Sequence, residues 1–300
     1  MAVSLPEVPL VAPAGNAAVV DVFAVSWWRG SRLRENLELY LPLTGLVLMV
    51  LACFVGPLIF PIAGPNSGSI VYANVPPFSP GHILGTDPLG NDLLSRALYG
   101  GRISFEVGFG AQGIGFFLGS SLGMLAGLKG GIVDTVIMRI MDMFLAFPGL
   151  IIAITIAVYL GPSELHVIWA ISFFTVPGMA RLARAHTLRF RDRDFVVSAK
   201  LCGRTDRQIL LRHLAPNVIP NVLTFISLGI GIAIVAEAGL SFLGFGVPPP
   251  APSWGNMISQ GQSYISEEPY QVLVPGAFLF FTVMCLNLLA DAVRARISGA

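Results

Sequence analysis

The sequence predicts an all-α, polytopic membrane protein with six transmembrane helices, and three observations carry that expectation. Hydrophobic residues make up 54% of the chain and charged residues only 12%, whereas a soluble domain is about one-quarter charged. Mean hydropathy is +0.75. The few charges are also clustered, leaving uncharged stretches long enough for helices to cross a hydrocarbon core roughly 30 Å thick. A net charge of +1, with arginines beside apolar segments rather than on a basic face interleaved with aromatics, argues against a nucleic-acid partner.

Taken in order, Met1 to Val20 lacks the basic, apolar and small-residue regions of a secretory signal. Residues 1–37 are therefore expected to be a retained, disordered, cytosolic segment. The first span is expected over 38–62, because no charge interrupts Leu39 to Thr86 and apolar density falls at Gly64-Pro65-Asn66-Ser67-Gly68. Residues 63–102 read as an external loop in which Pro76, Pro77 and Pro80 refuse a helix. The remaining five helices fall within 103–293. The second span, 103–128, is rich in Gly and Ser and suits close packing in lipid. The third, 133–160, carries Asp134, Arg139 and Asp142 in its first turns, and Pro148 should bend or break it. The fourth, 163–180, contains Pro177. A charged loop over 181–213 precedes spans at 217–240 and 271–293, and these two are separated by a Pro- and Gly-rich loop with Trp254-Gly255-Asn256. Residues 294–300 form a short tail.

Six spans place both termini on one side. Arg29, Arg32, Arg34, Lys129, Arg139, nine basic residues from Arg181 to Arg212, and Arg294 and Arg296 fall on one face, against Arg96 and Arg102 on the other. The positive-inside rule assigns the termini and the 181–213 loop to the cytosol.

That loop is long for a helix connection, and such loops are usually functional. Gly203 can take the left-handed conformation that ends a helix, and Thr205 with Gln208 has the capping-box spacing that starts another. Ile209, Leu210 and Leu214 then supply an apolar face, and Pro216 fits the start of the next span. A short amphipathic helix held between two membrane helices is a lever. The plainer alternative is a solvated basic loop that only enforces topology.

The stretch resembles the coupling loop of importer permeases of the ATP-binding-cassette (ABC) superfamily, in which an acidic-Ala-Ala triplet, a Gly three residues on, and a later Ile and Pro recur. Here the triplet is Ser198-Ala199-Lys200, while Gly203, Ile209, Leu210, Leu214 and Pro216 stand as the pattern asks. The resemblance spans about 82–292. Leu84-Gly85-Thr86-Asp87-Pro88-Leu89-Gly90-Asn91-Asp92-Leu93-Leu94-Ser95-Arg96 is similar to the external segment of the dipeptide, oligopeptide and nickel importer group, with Asn91 in place of Arg. The stretches Leu145–Leu150, Ala236–Gly244 and Pro252–Met257 match the same group in the same order, as in the second of its two permease subunits.

The resemblance implies a type I ABC importer transmembrane domain in a bacterial-type inner membrane. It also implies a sister permease, two cytosolic ATPase subunits or one fused pair, and an extracytoplasmic solute-binding protein. Ser198, Ala199, Lys200, Gly203, Arg204, Thr205, Gln208, Ile209, Leu210 and Pro216 would then couple to the ATPases. Peptides are the expected cargo and nickel or a metal chelate the alternative. An ion-gradient-driven secondary transporter is the alternative of another class, and it leaves the Gly203-centred helix pair unexplained. ATP and Mg2+ are expected on the partners only: a P-loop needs Gly-Lys-Ser/Thr, but Lys129 follows Leu128 and Lys200 follows Ala199.

Carboxylates near membrane depth are costly, so Asp142 and Glu237 are candidates for the translocation path. The structural alternative pairs Asp142 with Arg139 or the Arg181 side and makes Glu237 a helix cap. Asp87, Asp92, Arg96 and Trp254 lie in segments expected outside and are candidate binding-protein contacts, although Asp92 and Arg96 also have ion-pair spacing. Cys53, Cys202 and Cys285 lack metal-ligand spacing and read as small apolar fillers. His166 reads as an interfacial helix-start residue, no metal site is expected, and no catalytic constellation is apparent.

Overall fold

The computed structural model describes residues 32–59 and 64–298. Most of the expected N-terminal segment lies outside them. Helix α1 (Arg32–Phe54) is followed by the single turn α2 (Gly56–Ile59). Helix α3 (Leu93–Ile114) passes through a π-helical turn at Gly115–Gly119 into α4 (Ser120–Lys129). Next come α5 (Gly131–Leu145), α6 (Gly149–Leu160), α7 (Glu164–Arg191) and α8 (Asp194–Leu201). A short α9 (Asp206–Ile209) runs through a second π turn, Leu210–Leu214, into α10 (Ala215–Leu223). Helices α11 (Ile226–Phe242), α12 (Trp254–Gly261) and α13 (Tyr270–Ser298) complete the described chain.

Four helices are long and apolar enough to cross a membrane unbroken: Asn36–Phe54, Leu93–Lys129, Glu164–Arg191 and Tyr270–Arg296. Two further spans are bent, α5 with α6 by 83° and Asp206–Leu223 with α11 by 53°. Counting each bent pair once gives the six expected. Pro148 breaks the third as anticipated, standing as the N-cap of α6 because proline cannot donate the backbone bond a continuous helix needs.

Several expected boundaries move. Helix α1 runs Arg32–Phe54 with its span from Asn36, against the expected 38–62, of which residues 60–62 lie outside the described ones. The second starts at Leu93 rather than Ile103, because the Asp92 carboxylate caps it by accepting from the Ser95 N–H at 2.9 Å and Leu93 and Ala97 are buried. Arg96 and Arg102 therefore lie on a helix, not in a loop. Helix α7 continues through Pro177 and past Ala180 to Arg191. Two of its arginines find carboxylates on α5, Arg181 on Asp142 at 2.7 Å and Arg184 on Asp134 at 2.6 Å. The charged connection thus begins at Asp192 rather than Arg181. The fifth span extends back through α10 to Asp206, the π turn absorbing Pro216, which offers no N–H to the turn before it. The loop expected before the last span contains α12, and α13 takes in most of the expected 294–300 tail.

Helix α7 lies against α3–α4 along a glycine seam. A Cβ on Gly115, Gly119, Gly123 or Gly127 would stand 2.6, 2.5, 2.1 and 2.8 Å from Thr175, Val176, Ala180 and Thr187, respectively. Only glycine admits so close an approach, the small-residue packing that joins helices in lipid. On the other side, Trp254 is fully buried beside Phe105 and donates its indole N–H to the Ala97 carbonyl at 2.9 Å. It holds α12 to α3. Leucines and phenylalanines of α1 and α13, including Leu41, Leu48, Leu273 and Phe280, stay exposed and form an apolar outer face suited to lipid.

Candidate functional site

The α8–α9 connection forms one end of the bundle. Helix α8 buries Val196 and Ala199 against Leu128, Ile209, Leu214 and the partly buried Phe190 and Leu210. Its C-terminus closes as a Schellman turn: the Arg204 N–H donates to the Ala199 carbonyl at 3.1 Å and the Gly203 N–H to Lys200 at 3.0 Å. Gly203 has φ +75°, the left-handed conformation such a turn requires. Thr205 then opens α9 with a full capping box, its hydroxyl accepting from the Gln208 N–H at 3.4 Å and its own N–H donating to the Gln208 side chain at 3.2 Å. Both features expected of this segment are present, and α9 is continuous with the next span.

Within this unit the residues singled out divide. Ile209 is fully buried and Ala199 nearly so, whereas Ser198, Lys200, Gly203, Arg204, Thr205 and Pro216 are exposed, with Gln208 and Leu210 between. The buried ones build the unit and the exposed ones form its outer face. That face also carries Phe195, Val197, Leu201 and Leu211, exposed by 39, 43, 84 and 56%, which sequence reasoning did not single out. The alternation of the α8 members with buried Val196 and Ala199 is plain only once α8 is known to be a helix; the usable signal was the spacing Phe195–Ser198–Leu201 along one helical face.

At the opposite end, Asp87 and Arg96 are turned inward. The Asp87 carboxylate accepts from the backbone N–H groups of Leu89 and Asn91 at 2.9 and 2.8 Å and from the Asn91 amide at 2.9 Å, and Arg96 stands 3.2 Å away. Arg96 also reaches Gln260 at 3.1 Å. The expected Asp92–Arg96 pair is replaced by Asp87–Arg96, because Asp92 caps α3 and meets His82 at 2.9 Å. Trp254 is enclosed rather than outward-facing. These residues fasten the 64–92 loop onto α3 and α12.

Asp142 pairs with Arg181. Glu237 is fully buried on α11 and accepts from Ser104 at 2.9 Å and Ser241 at 2.6 Å, a tie between α3 and α11 rather than a helix-end cap. His166 meets the Gly161 carbonyl at 2.9 Å at the start of α7. Cys53 and Cys285 are buried, but Cys202 is exposed at the end of α8 and fills no core. Among the described residues no group of three or more His, Cys, Asp or Glu is placed to hold a metal.

Between α3, α7 and α11 lies a cavity of about 390 Å³, lined by Gln112, Phe174, Thr175, Gly178, Met179, Leu182, Phe225, Leu228, Gly229 and Ile232. Neither Asp142 nor Glu237 borders it.

Residues 119–299 match the family described as binding-protein-dependent transport system inner membrane component. The chain is 37% identical to the glutathione transport system permease protein GsiD of Pectobacterium atrosepticum, over 89% of this chain and 88% of that protein. It is 34% identical to the dipeptide transport system permease protein DppC of Alkalihalophilus pseudofirmus, over 95% of each. Among solved structures, an inward-facing conformation of the MetNI methionine ABC transporter aligns with a TM-score of 0.56 at 19% identity, covering 67% of this chain and 95% of that one. This last likeness gives the fold, a type I ABC importer transmembrane domain. The chain belongs to the family of binding-protein-dependent transport system inner membrane components, as a non-catalytic, multi-pass permease that works with an ATPase and a binding protein.

Proposed function

We propose that this permease carries short peptides inward across the membrane, as one half of a pore completed by a sister permease. The α8–α9 end faces the cytosol and receives one of two ATPase subunits, or one half of a fused pair, on which ATP and Mg2+ are bound. The termini share that side, and the binding protein docks at the opposite end. The observation that carries the coupling role is the rigid continuity from the capped α9 through α10 to Leu223. A push on the face made by Phe195, Ser198, Lys200, Leu201 and Arg204 passes to α9 through the packing of Val196 and Ala199 on Ile209 and Leu214, and from there along α10 to Leu223. Relatives named for dipeptide and glutathione transport favour an amide-linked cargo, and the absence of any ionisable side chain from the cavity lining accords with that better than with a metal chelate.

The test is ATP hydrolysis by the reconstituted complex with its binding protein. Short peptides should stimulate it and nickel chelates should not. Stimulation by nickel chelates alone would retain the architecture and overturn the cargo.

A further inference from the structure

Gln112 is a long polar side chain at the middle of the α3–α4 span, only 3% exposed. Thr175, its neighbour in the cavity wall, donates to the Ala111 and Ser172 carbonyls. The Gln112 side-chain amide has no hydrogen bond to any described residue, yet it borders the 390 Å³ cavity. Its nitrogen and oxygen are not among the fully enclosed polar atoms left without a partner, so the amide opens onto the cavity and can meet what enters it.

Its position is fixed from behind. A Cβ on Gly229 would lie 2.4 Å from the Gln112 amide carbon, so the bare backbone of α11 is the bed on which the side chain rests. One turn beyond, a π turn at Gly115–Gly119 sets Gly115 against Thr175, a residue of the cavity wall, and such distortions are frequent at functional sites. The rest of the wall is apolar or glycine: Phe174, Met179, Leu182, Leu228, Ile232 and Gly178. Pockets of this make-up, with few polar groups, use those groups to set ligand orientation.

We infer that Gln112 is the polar contact of the translocation path and takes the backbone N–H and C=O of a passing peptide. A primary amide offers donors and an acceptor side by side. In an extended chain the N–H and C=O of one residue point to the same side, so a single amide meets both without reading the side chain. An uncharged contact of this kind holds any peptide sequence weakly and releases it. This inference rests on the peptide reading above.

The experiment is uptake by proteoliposomes containing the complete complex, comparing wild type with Gln112→Met, which keeps the volume and removes the amide. Two cargoes are used: a tripeptide, and the same tripeptide with its central backbone nitrogen methylated. The expected result is an approximately tenfold loss of tripeptide uptake in Gln112→Met, a similar loss in wild type on methylation, and little further loss when the two are combined. Co-purification of the sister permease and the thermal midpoint of the complex should be unchanged. Equal uptake of the unmodified tripeptide by variant and wild type overturns the assignment. So does loss of the sister permease, which would place the amide at a subunit contact. If Gln112→Met does not assemble, Gln112→Asn, with the amide drawn back by one methylene, is used instead, and unchanged uptake again overturns it. Failure of the wild-type complex to take up either peptide would overturn the peptide reading itself, a result separable from the others because it appears without any substitution.

Discussion

Leu201 and Leu210 sit on the same connection in opposite surroundings. Leu201 is 84% exposed at the end of α8, while Leu210 packs against Val196, Ile209 and Leu214. Substitutions at exposed positions usually change stability by less than about 0.5 kcal/mol, so Leu201→Asp should leave the thermal midpoint of the purified permease pair unchanged. It places a desolvated carboxylate in the proposed ATPase contact, and cargo-stimulated ATP hydrolysis should fall at least several-fold. Leu210→Asp buries a charge inside the unit and should lower the midpoint, so its effect on transport would not isolate docking. Wild-type hydrolysis by a stable Leu201→Asp complex would remove the outer face of α8 from the coupling surface. The same contrast applies to the carboxylates: Glu237 is answered by two serine hydroxyls and Asp142 by an arginine, so each is already satisfied within the chain.

At the scale of elements, the α4–α7 seam depends on backbone proximity. A Cβ on Gly123 would fall 2.1 Å from the Ala180 carbonyl oxygen, whereas one on Gly113 in α3 would meet nothing within 4 Å. Gly123→Ala should therefore force the helices apart at a cost of about 1–3 kcal/mol, and Gly113→Ala should be neutral or stabilising by up to about 1 kcal/mol through helix propensity. Thermal unfolding of the two variants checks this; equal midpoints would show that the seam yields. The glycine spacing that forms this seam was visible in the sequence, as were the break at Pro148 and the caps at Gly203 and Thr205, because each depends on local backbone chemistry. The ends of α3 and α7 were not. Charged residues usually mark the limit of a span, but Arg96 is neutralised by Asp87 across a loop, and Arg181 and Arg184 by Asp142 and Asp134 on another helix, pairings that sequence spacing does not reveal. Gln112 was equally hidden, since its meaning depends on Gly229, far along the chain.

For the whole molecule the central question is which end faces the cytosol, and the chain carries its own reporter. The Arg296 guanidinium reaches Asn36 at 3.0 Å, and Arg191 reaches the Gly127 carbonyl at 3.2 Å. The start of α1, the end of α4, the end of α7 and the end of α13 therefore gather at the end that holds α8 and α9. Basic residues concentrate there, and under the positive-inside rule this supports the proposed cytosolic placement of that end. Cys202 is exposed at this end, while Cys53 and Cys285 are 0 and 3% exposed within the bundle, so a membrane-impermeant maleimide distinguishes the two orientations without an introduced cysteine. Intact spheroplasts should remain unlabelled and inside-out vesicles should label at Cys202. Because Cys202 adjoins Leu201 and Gly203, vesicles that retain the ATPase subunits should label more slowly than vesicles stripped of them. Labelling of intact spheroplasts would invert the topology, and equal rates in stripped and unstripped vesicles would move the ATPase contact away from the end of α8.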